Sequence, residues 1–421
     1  MVAHDFKLIP VILAGGAGER LWPVSTQTMP KQFIVHTPDG LTLFQAAVSR
    51  ACAISPSVKP IIVCAEHHER LVRAQLGVLG AISAELLVEP QGRNTAPAIA
   101  LAALHLVHRH PQNLMLVLPS DQHVENNEIL SQQVMAGCLA AQQGHILLFG
   151  IRPTRPATEY GYIQSGDRVN SDNNIWQVRR FVEKPPLEDA QSYVKANDCT
   201  WNSGIFLMSP ETMLAQLHDA APEVTAACQM AYAEAKVTGN SLYPSAERYG
   251  SLPSKSFDYT VLESSKSMLV SILDMGWDDL GSWYALERFH ERFAKVKHTP
   301  AANQAPQILA LSEERRPWGR FVAIDEGNGY KVKKLHINAG SSISLQVHQH
   351  RSEHWVVVQG VATVICGSRT FSLRSNESTY IAAGQMHQLR NDTSEELVII
   401  EVQVGSIVSE SDITRFETLT S

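Results

Sequence analysis

The sequence predicts an α/β domain with a mostly parallel sheet, followed by a smaller all-β domain of jelly-roll type. Three observations carry this. From Ile9 to Leu118, short apolar runs alternate with segments of helical periodicity, joined by brief Gly, Pro and Asn connections. The first apolar run empties into a glycine-rich turn. Beyond Arg316 the chain is dense in short β-branched runs punctuated by turn residues.

In chain order, Ile9–Leu13 reads as a strand, 41–52 as a helix, 60–65 as a strand, 67–79 as a helix, 85–88 as a strand, 96–108 as a helix and 114–118 as a strand. Ligands of such sheets sit beyond the carboxyl ends of the strands. A further helix is expected to reach about Val296, and the polar stretch around PAANQAP reads as linker. The expected division is therefore a first domain over 1–290, a linker over 291–315 and a second domain over 316–421. Strands are expected there over 330–337, 342–347, 354–358, 362–366, 378–381 and 396–402.

With 421 residues the chain can form two domains that need no covalent staples. A net charge of −7 argues against a nucleic-acid or membrane-surface partner, either of which calls for a basic face. The six cysteines show no CxxC pairing and lie mostly in apolar runs, as buried thiols of a reducing compartment do. The first residues lack a basic segment followed by a long apolar one, and no window approaches a membrane span. A cytoplasmic location is expected.

Chemistry concentrates at the ends of the expected strands. Gly15, Gly16 and Gly18 leave backbone N–H groups free to crowd an anion, and a polyphosphate suits such a turn. Two cations follow, Arg20 and Lys31, with Pro23 and Pro30 stiffening the connection that returns Lys31 to the turn. The third strand ends in Glu89-Pro90-Gln91-Gly92-Arg93-Asn94-Thr95-Ala96-Pro97, a polar knot that also reads as a simple turn with Thr95 capping the next helix. Asp121 closes the fourth strand. In the second domain, His348 and His350 stand at i and i+2, with Glu353 close by and His387 further on. That set is suited to a divalent transition metal.

The string GGAGERLWPVS followed by PKQF closely resembles the signature of the mannose-1-phosphate guanylyltransferases, within the sugar-1-phosphate nucleotidyltransferases. It is neither a Walker loop nor a dinucleotide fingerprint. The resemblance extends in order through EPQGRNTAPA, TEYGYI, FVEKP, WNSGIF, SFDY and WDDLGSW. It implies a Rossmann-like, GT-A-like fold. Gly15, Gly16 and Gly18 would hold the nucleotide phosphates, and Glu89, Arg93 and Asn94 would lie at its base. Guanine displays N1–H and an amino group, which a carboxylate can accept. Magnesium is implied on Asp121 and Asp279, with Asp278 facing elsewhere. The sugar phosphate is implied at Gly161, Glu183, Lys184, Asn202 and Asp258, and catalytic charge neutralisation at Arg20 and Lys31. Glu19 stands where the family usually has a small residue, so its carboxylate is expected to point away.

The second domain resembles the cupin-type phosphomannose isomerase fused to bacterial guanylyltransferases, through SLQVHQHRSEHWVVVQG and ITRFE. That implies interconversion of mannose 6-phosphate and fructose 6-phosphate on a metal such as Zn2+ or Co2+ held by His348, His350, Glu353 and His387. Arg351 is a candidate for gripping phosphate or stabilising charge. Gln346-Val347-His348 also resembles the QxH metal pair of the other isomerase class, which makes Gln346 a rival to His350. The gap from His350 to Glu353 is one residue tighter than in most cupins, and Ala382 replaces a usual proline. The connecting segment is shorter than in the long relatives it resembles. The expected partners are GTP, mannose 1-phosphate and the two hexose 6-phosphates, with a homodimer as the expected assembly. A cupin that serves only for binding or dimerisation is the alternative.

Overall fold

The computed structural model describes residues 6–16, 21, 25–26, 28–34, 37–80, 82–109, 113–169, 174–294, 313–327 and 329–416. Gly18, Glu19 and Arg20, together with most of the expected linker, lie outside the described residues. The chain divides into two compact units, Met1–Ala285 and Leu286–Ser421.

The first unit is built on an eleven-stranded sheet. Ser241–Tyr243, Glu85–Glu89, Ile61–Ala65, Leu8–Leu13 and Leu114–Pro119 lie side by side and parallel. Beyond them Cys199–Met208 runs antiparallel to both Leu114–Pro119 and Ile146–Ile151, so the sheet as a whole is mixed. Ile146–Ile151 pairs in parallel with Met268–Leu273, and Ile175–Val182 and Tyr162–Arg168 finish that edge antiparallel.

The apolar runs are continuous because both sheet faces are covered. Along the first strand, Leu8 and Ile12 enter one core while Ile9 and Val11 enter the other. Leu43–Ile54 and Asn127–Gln142 cover the first face. Thr95–Val107, Pro210–Ala220 and Pro222–Ala233 cover the second. Thr95–Val107 is buried from Ala96 to Leu106, and its run of alanines lets it lie flush between the sheet and the two helices outside it.

The second unit packs a six-stranded sheet and a five-stranded sheet around an apolar core containing Trp355, Val357, Leu335, Val364 and Ile399. The first sheet runs Glu313–Arg316, Gly319–Gly327, Tyr330–Ile337, Leu397–Gly405, Arg351–Gln359 and Ser378–Ile381. The second runs Arg369–Arg374, Val361–Cys366, His387–Arg390, Leu345–His348 and Ile413–Phe416. Strict alternation along Arg351–Gln359 buries Arg351, Glu353, Trp355 and Val357, so one face of a single strand carries both the apolar core and a charged site. Among the described residues, no helix is long and apolar enough to cross a membrane.

Candidate active sites

The parallel strands of the first unit deliver their carboxyl ends to one edge. Leu8–Leu13 leads to Gly15 and Gly16, Glu85–Glu89 presents Glu89, and Leu114–Pro119 leads to Asp121. Lys31 returns to this edge in a short 3-10 turn, Lys31–Phe33, and is buried. The neighbouring Gln32 donates from Nε2 to the Gly16 carbonyl at 3.0 Å, which ties that turn to the glycines.

Asp121 and Asp279, far apart in sequence, meet at Lys31. Its Nζ lies 3.0 Å from Asp121 Oδ2 and 3.9 Å from Asp279 Oδ1, and donates to the Asp279 carbonyl at 2.7 Å. The meeting is arranged by a two-residue ladder in which Trp277 pairs with Val124 and Asp278 with His123. Trp277 Nε1 donates to Gln122 Oε1 at 2.9 Å, and Gln122 Nε2 to the Ser203 carbonyl at 2.7 Å. Asp278 turns back on its own chain, accepting from Leu280 N at 3.0 Å, while Asp279 turns toward the lysine. Two carboxylates beside the glycine turn form an oxygen-only donor set of the kind a hard divalent cation accepts.

Glu89 is buried, and its Oε1 accepts from Tyr249 Oη at 2.6 Å. Burial pushes its carboxyl up to about 7, against the pull of that hydrogen bond. Its Oε2 lies 3.2 Å from where a Cβ on Gly15 would sit, so the glycine turn and the carboxylate share one wall. Arg93 and Gln91 both donate to the Gly250 carbonyl, Gln91 at 3.2 Å. The expected capping by Thr95 is corrected. Asn94 is the cap, accepting from Thr95 N at 2.9 Å from a left-handed φ of 70°, and Thr95 Oγ1 instead accepts from Phe257 N at 2.8 Å. Asparagine tolerates that backbone where threonine, being β-branched, does not.

A cavity of about 710 Å3 opens beside this cap and is lined by Asn94, Glu183, Lys184, Lys255, Asp258 and Tyr259 among others. Asn202 Nδ2 donates to Asp258 Oδ1 at 2.7 Å, and its backbone N donates to the Gly161 carbonyl at 2.8 Å. A Cβ on Gly161 would lie 2.6 Å from Glu183 Oε2 and 2.8 Å from Phe181 Cζ, so only glycine allows the approach. Lys184 Nζ lies 3.4 Å from Glu183 Oε1. Burial and then the Asp258 charge push Glu183 up to about 7, and burial raises Asp258 as well. A carboxyl in the range of Glu183 can present its proton as well as its lone pairs to a ligand.

In the second unit, His348, Glu353 and His387 bring one ligand atom each to within 4.8 Å of one another, all buried. His348 Nε2 is 3.0 Å and His387 Nε2 3.6 Å from the Glu353 carboxylate. Both rings turn Nδ1 to a backbone carbonyl, His387 to Gln385 at 2.8 Å and His348 to Asp412 at 3.4 Å, which leaves Nε2 of each directed inward. The expectation of His350 as a ligand is corrected. The strand Leu345–His348 ends before it, alternation is lost in the turn, and His350 is half exposed with Nδ1 2.8 Å from Asp412 Oδ1. Gln346, one alternation before His348, lies directly opposite His387, and its Nε2 is 3.4 Å from His387 Nε2. His348, Glu353 and His387 are the residues placed where they could hold a divalent metal, and Gln346 stands beside them with its amide nitrogen toward His387.

Arg351 is buried and fully engaged. It donates from Nε to Glu353 Oε1 at 3.1 Å and from Nη1 to the Ser409 carbonyl at 2.8 Å, with Nη2 3.3 Å from His348 Nε2. Its side chain is thereby directed at the Glu353 carboxylate. Burial works against ionised Glu353, but the His348 hydrogen bond and the charges of His348, His387 and Arg351 hold its carboxyl below the usual range. Sequence reading missed the layer behind it. Trp355 Nε1 bridges Glu353 and Glu401 at 3.2 Å each, and Gln403 Nε2 reaches the same two carboxylates at 3.0 and 2.9 Å. The odd-residue spacing of 401 and 403 with the apolar 397 and 399 was the available signal.

The nucleotidyl transferase family matches residues 9–296, and the mannose-6-phosphate isomerase C-terminal family matches residues 305–418. The chain is 34% identical to the alginate biosynthesis protein AlgA of Pseudomonas putida, over 97% of this chain and 96% of that one. It is 35% identical to the xanthan biosynthesis protein XanB of Xanthomonas campestris, over 97% and 98%. It is 34% identical to the mannose-1-phosphate guanylyltransferase ManC of Salmonella typhimurium, over 99% of both chains. A solved mannose-1-phosphate geranyltransferase of Thermus thermophilus aligns with TM-score 0.58 at 32% identity, over 68% of this chain and 79% of that one. A mannose-6-phosphate isomerase of Helicobacter pylori aligns with TM-score 0.56 at 26% identity, over 65% and 100%. The chain belongs to the nucleotidyl transferase family and carries a mannose-6-phosphate isomerase C-terminal domain behind its transferase domain.

Proposed function

We infer that the first unit transfers guanylyl from GTP to α-D-mannose 1-phosphate, giving GDP-mannose and pyrophosphate. The observation that carries this is the convergence of Asp121 and Asp279 on buried Lys31, beside the glycine turn that Glu89 also faces. Glu89 reads the pairing edge of guanine, with Arg93 and Asn94 holding its loop. Glu183, Asn202 and Asp258 take the mannose hydroxyls, and Lys184 meets the sugar phosphate. Lys31 neutralises charge at the α-phosphoryl group, and Arg20 is assigned to the departing pyrophosphate on resemblance. A Mg2+ ion on Asp121 and Asp279 would supply Lewis-acid polarisation and charge neutralisation. Little covalent work falls to the protein, so positioning and charge dominate.

The second unit is assigned the interconversion of mannose 6-phosphate and fructose 6-phosphate. Gln346, His348, Glu353 and His387 would hold a metal such as Zn2+ or Co2+, which would supply Lewis-acid polarisation. The alternative is a cupin kept for binding or dimerisation. Pyrophosphate release from GTP plus mannose 1-phosphate tests the first assignment. Isomerase turnover with each divalent metal tests the second, and bound metal without turnover selects the alternative.

A further inference from the structure

We propose that Tyr249 is the positioning residue for base recognition, its hydroxyl fixing the Glu89 carboxylate so that the free lone pairs face the glycine turn and select guanine over purines lacking the 2-amino group. The inference rests on Glu89 as the base reader.

Glu89 ends the strand Glu85–Glu89 with only 2% of its surface exposed. Tyr249, from the segment Ala246–Gly250, and Gly15, from the turn, lie against it, while Cys64 of the adjacent strand and Cys228 of the helix Pro222–Ala233 are near enough to feel its charge. Burial pushes both thiols up to about 12, so they stay neutral and put no charge on the carboxylate. Arg93, whose charge acts on Tyr249, donates from Nη2 to the Gly250 carbonyl, while its buried Nε has no hydrogen-bond partner among the described residues.

Among the described residues, the Tyr249 hydroxyl is the side-chain group that hydrogen-bonds Glu89, at 2.6 Å on Oε1. A carboxylate accepts on about four lone pairs. With one used by Tyr249, the remaining one on Oε1 and those on Oε2 can meet N1–H and the 2-amino group of a guanine together. The segment bearing Tyr249 also grips the loop at Gly250, through Gln91 and Arg93, so residue 249 and residue 250 set the angle of the whole base-reading strand end. Tyr249 itself is fully buried, does not touch the cavity beside Asn94, and acts through Glu89 alone.

The test is steady-state kinetics of the full chain with GTP and with ITP, at saturating mannose 1-phosphate, from about pH 6 to about pH 9. Tyr249→Phe keeps the ring and removes one oxygen. It is expected to raise the KM for GTP about tenfold, the loss of one hydrogen bond to a charged group, with the effect on KM rather than kcat. The preference for GTP over ITP is expected to fall, and the pH at which the KM for GTP improves to move upward. Wild-type values of all three in Tyr249→Phe overturn the inference. Glu89→Gln separates the two failures. If it too leaves the GTP:ITP preference unchanged, Glu89 is not the base reader; if it alters the preference while Tyr249→Phe does not, only the positioning role fails. Should Tyr249→Phe not fold, Tyr249→His, which keeps a ring but shortens the reach toward Glu89, is expected to give the same loss of preference, and a wild-type preference in it overturns the inference.

Discussion

Lys31→Met removes the ammonium that joins Asp121 to Asp279 and keeps the apolar stem. At 3.0 Å and 3.9 Å the gross attractions are about 5.5 and about 4 kcal/mol at an effective dielectric of ~20. Desolvation of the lysine and the 37% exposure of the Asp121 side chain offset most of that in the resting protein. The exposed carboxylates can be rehydrated, so folding is expected to suffer little. The transition state differs, because charge grows on the α-phosphoryl group where water is excluded. Loss of one preorganised donor there costs ~2–4 kcal/mol, or roughly 30- to 1,000-fold in kcat. The same substitution frees two carboxylates from their internal counter-ion. The Mg2+ concentration giving half-maximal activity is therefore expected to fall severalfold even as kcat drops. Initial-rate pyrophosphate release against Mg2+ reads both. A kcat within twofold of wild type, or an unchanged Mg2+ requirement, would refute the placement of Lys31 between the reacting phosphate and the acid pair.

Glu89→Gln is expected to stabilise the free protein. The folded carboxyl keeps its proton to about 7 against an ordinary 4.5, so wild-type stability falls as pH rises through that window, by about 3 kcal/mol at most. Thermal melts should therefore separate the two proteins at about pH 8 and converge below about pH 4, and equal melting at both would refute the burial cost. His350→Ala should leave cupin metal content unchanged by elemental analysis while Gln346→Ala and His387→Ala lower it; the reverse order would restore His350 as a ligand. Gly161→Ala must move Glu183 and Phe181, a clash costing ~1–3 kcal/mol. It should raise the KM for mannose 1-phosphate roughly tenfold or more without altering that for GTP.

Much of the architecture was legible because the apolar runs announce their period. Strand ends fell within a residue or two of expectation from Leu8–Leu13 to Leu114–Pro119. Asp279 rather than Asp278 could be chosen from the resemblance, and the choice agrees with Asp278 turning back on Leu280. What failed was local. The HxH spacing at His348 and His350 implies one strand face, but the strand stops at His348, and nothing in the spacing marks that stop. Arg351 was a candidate for gripping phosphate or stabilising charge. Its burial follows from strand parity, which places 351, 353 and 355 inward together. Tyr249 and Gln403 were invisible for a different reason: each acts through a partner remote in sequence, and only the pairing of distant strands and turns brings them there.

The ladder joining Trp277–Asp278 to His123–Val124 is only two residues long, and two acidic residues sit consecutively at its end. Slippage by a single position would exchange which of them meets the lysine. Gly276, at φ 64° with Glu125 crowding any added carbon, and Leu280, at φ 49°, bracket the ladder with backbone that tolerates little adjustment. Insertions or deletions between residues 276 and 280 should therefore be far more damaging than substitutions of equal size, since they would misalign the acid without removing it.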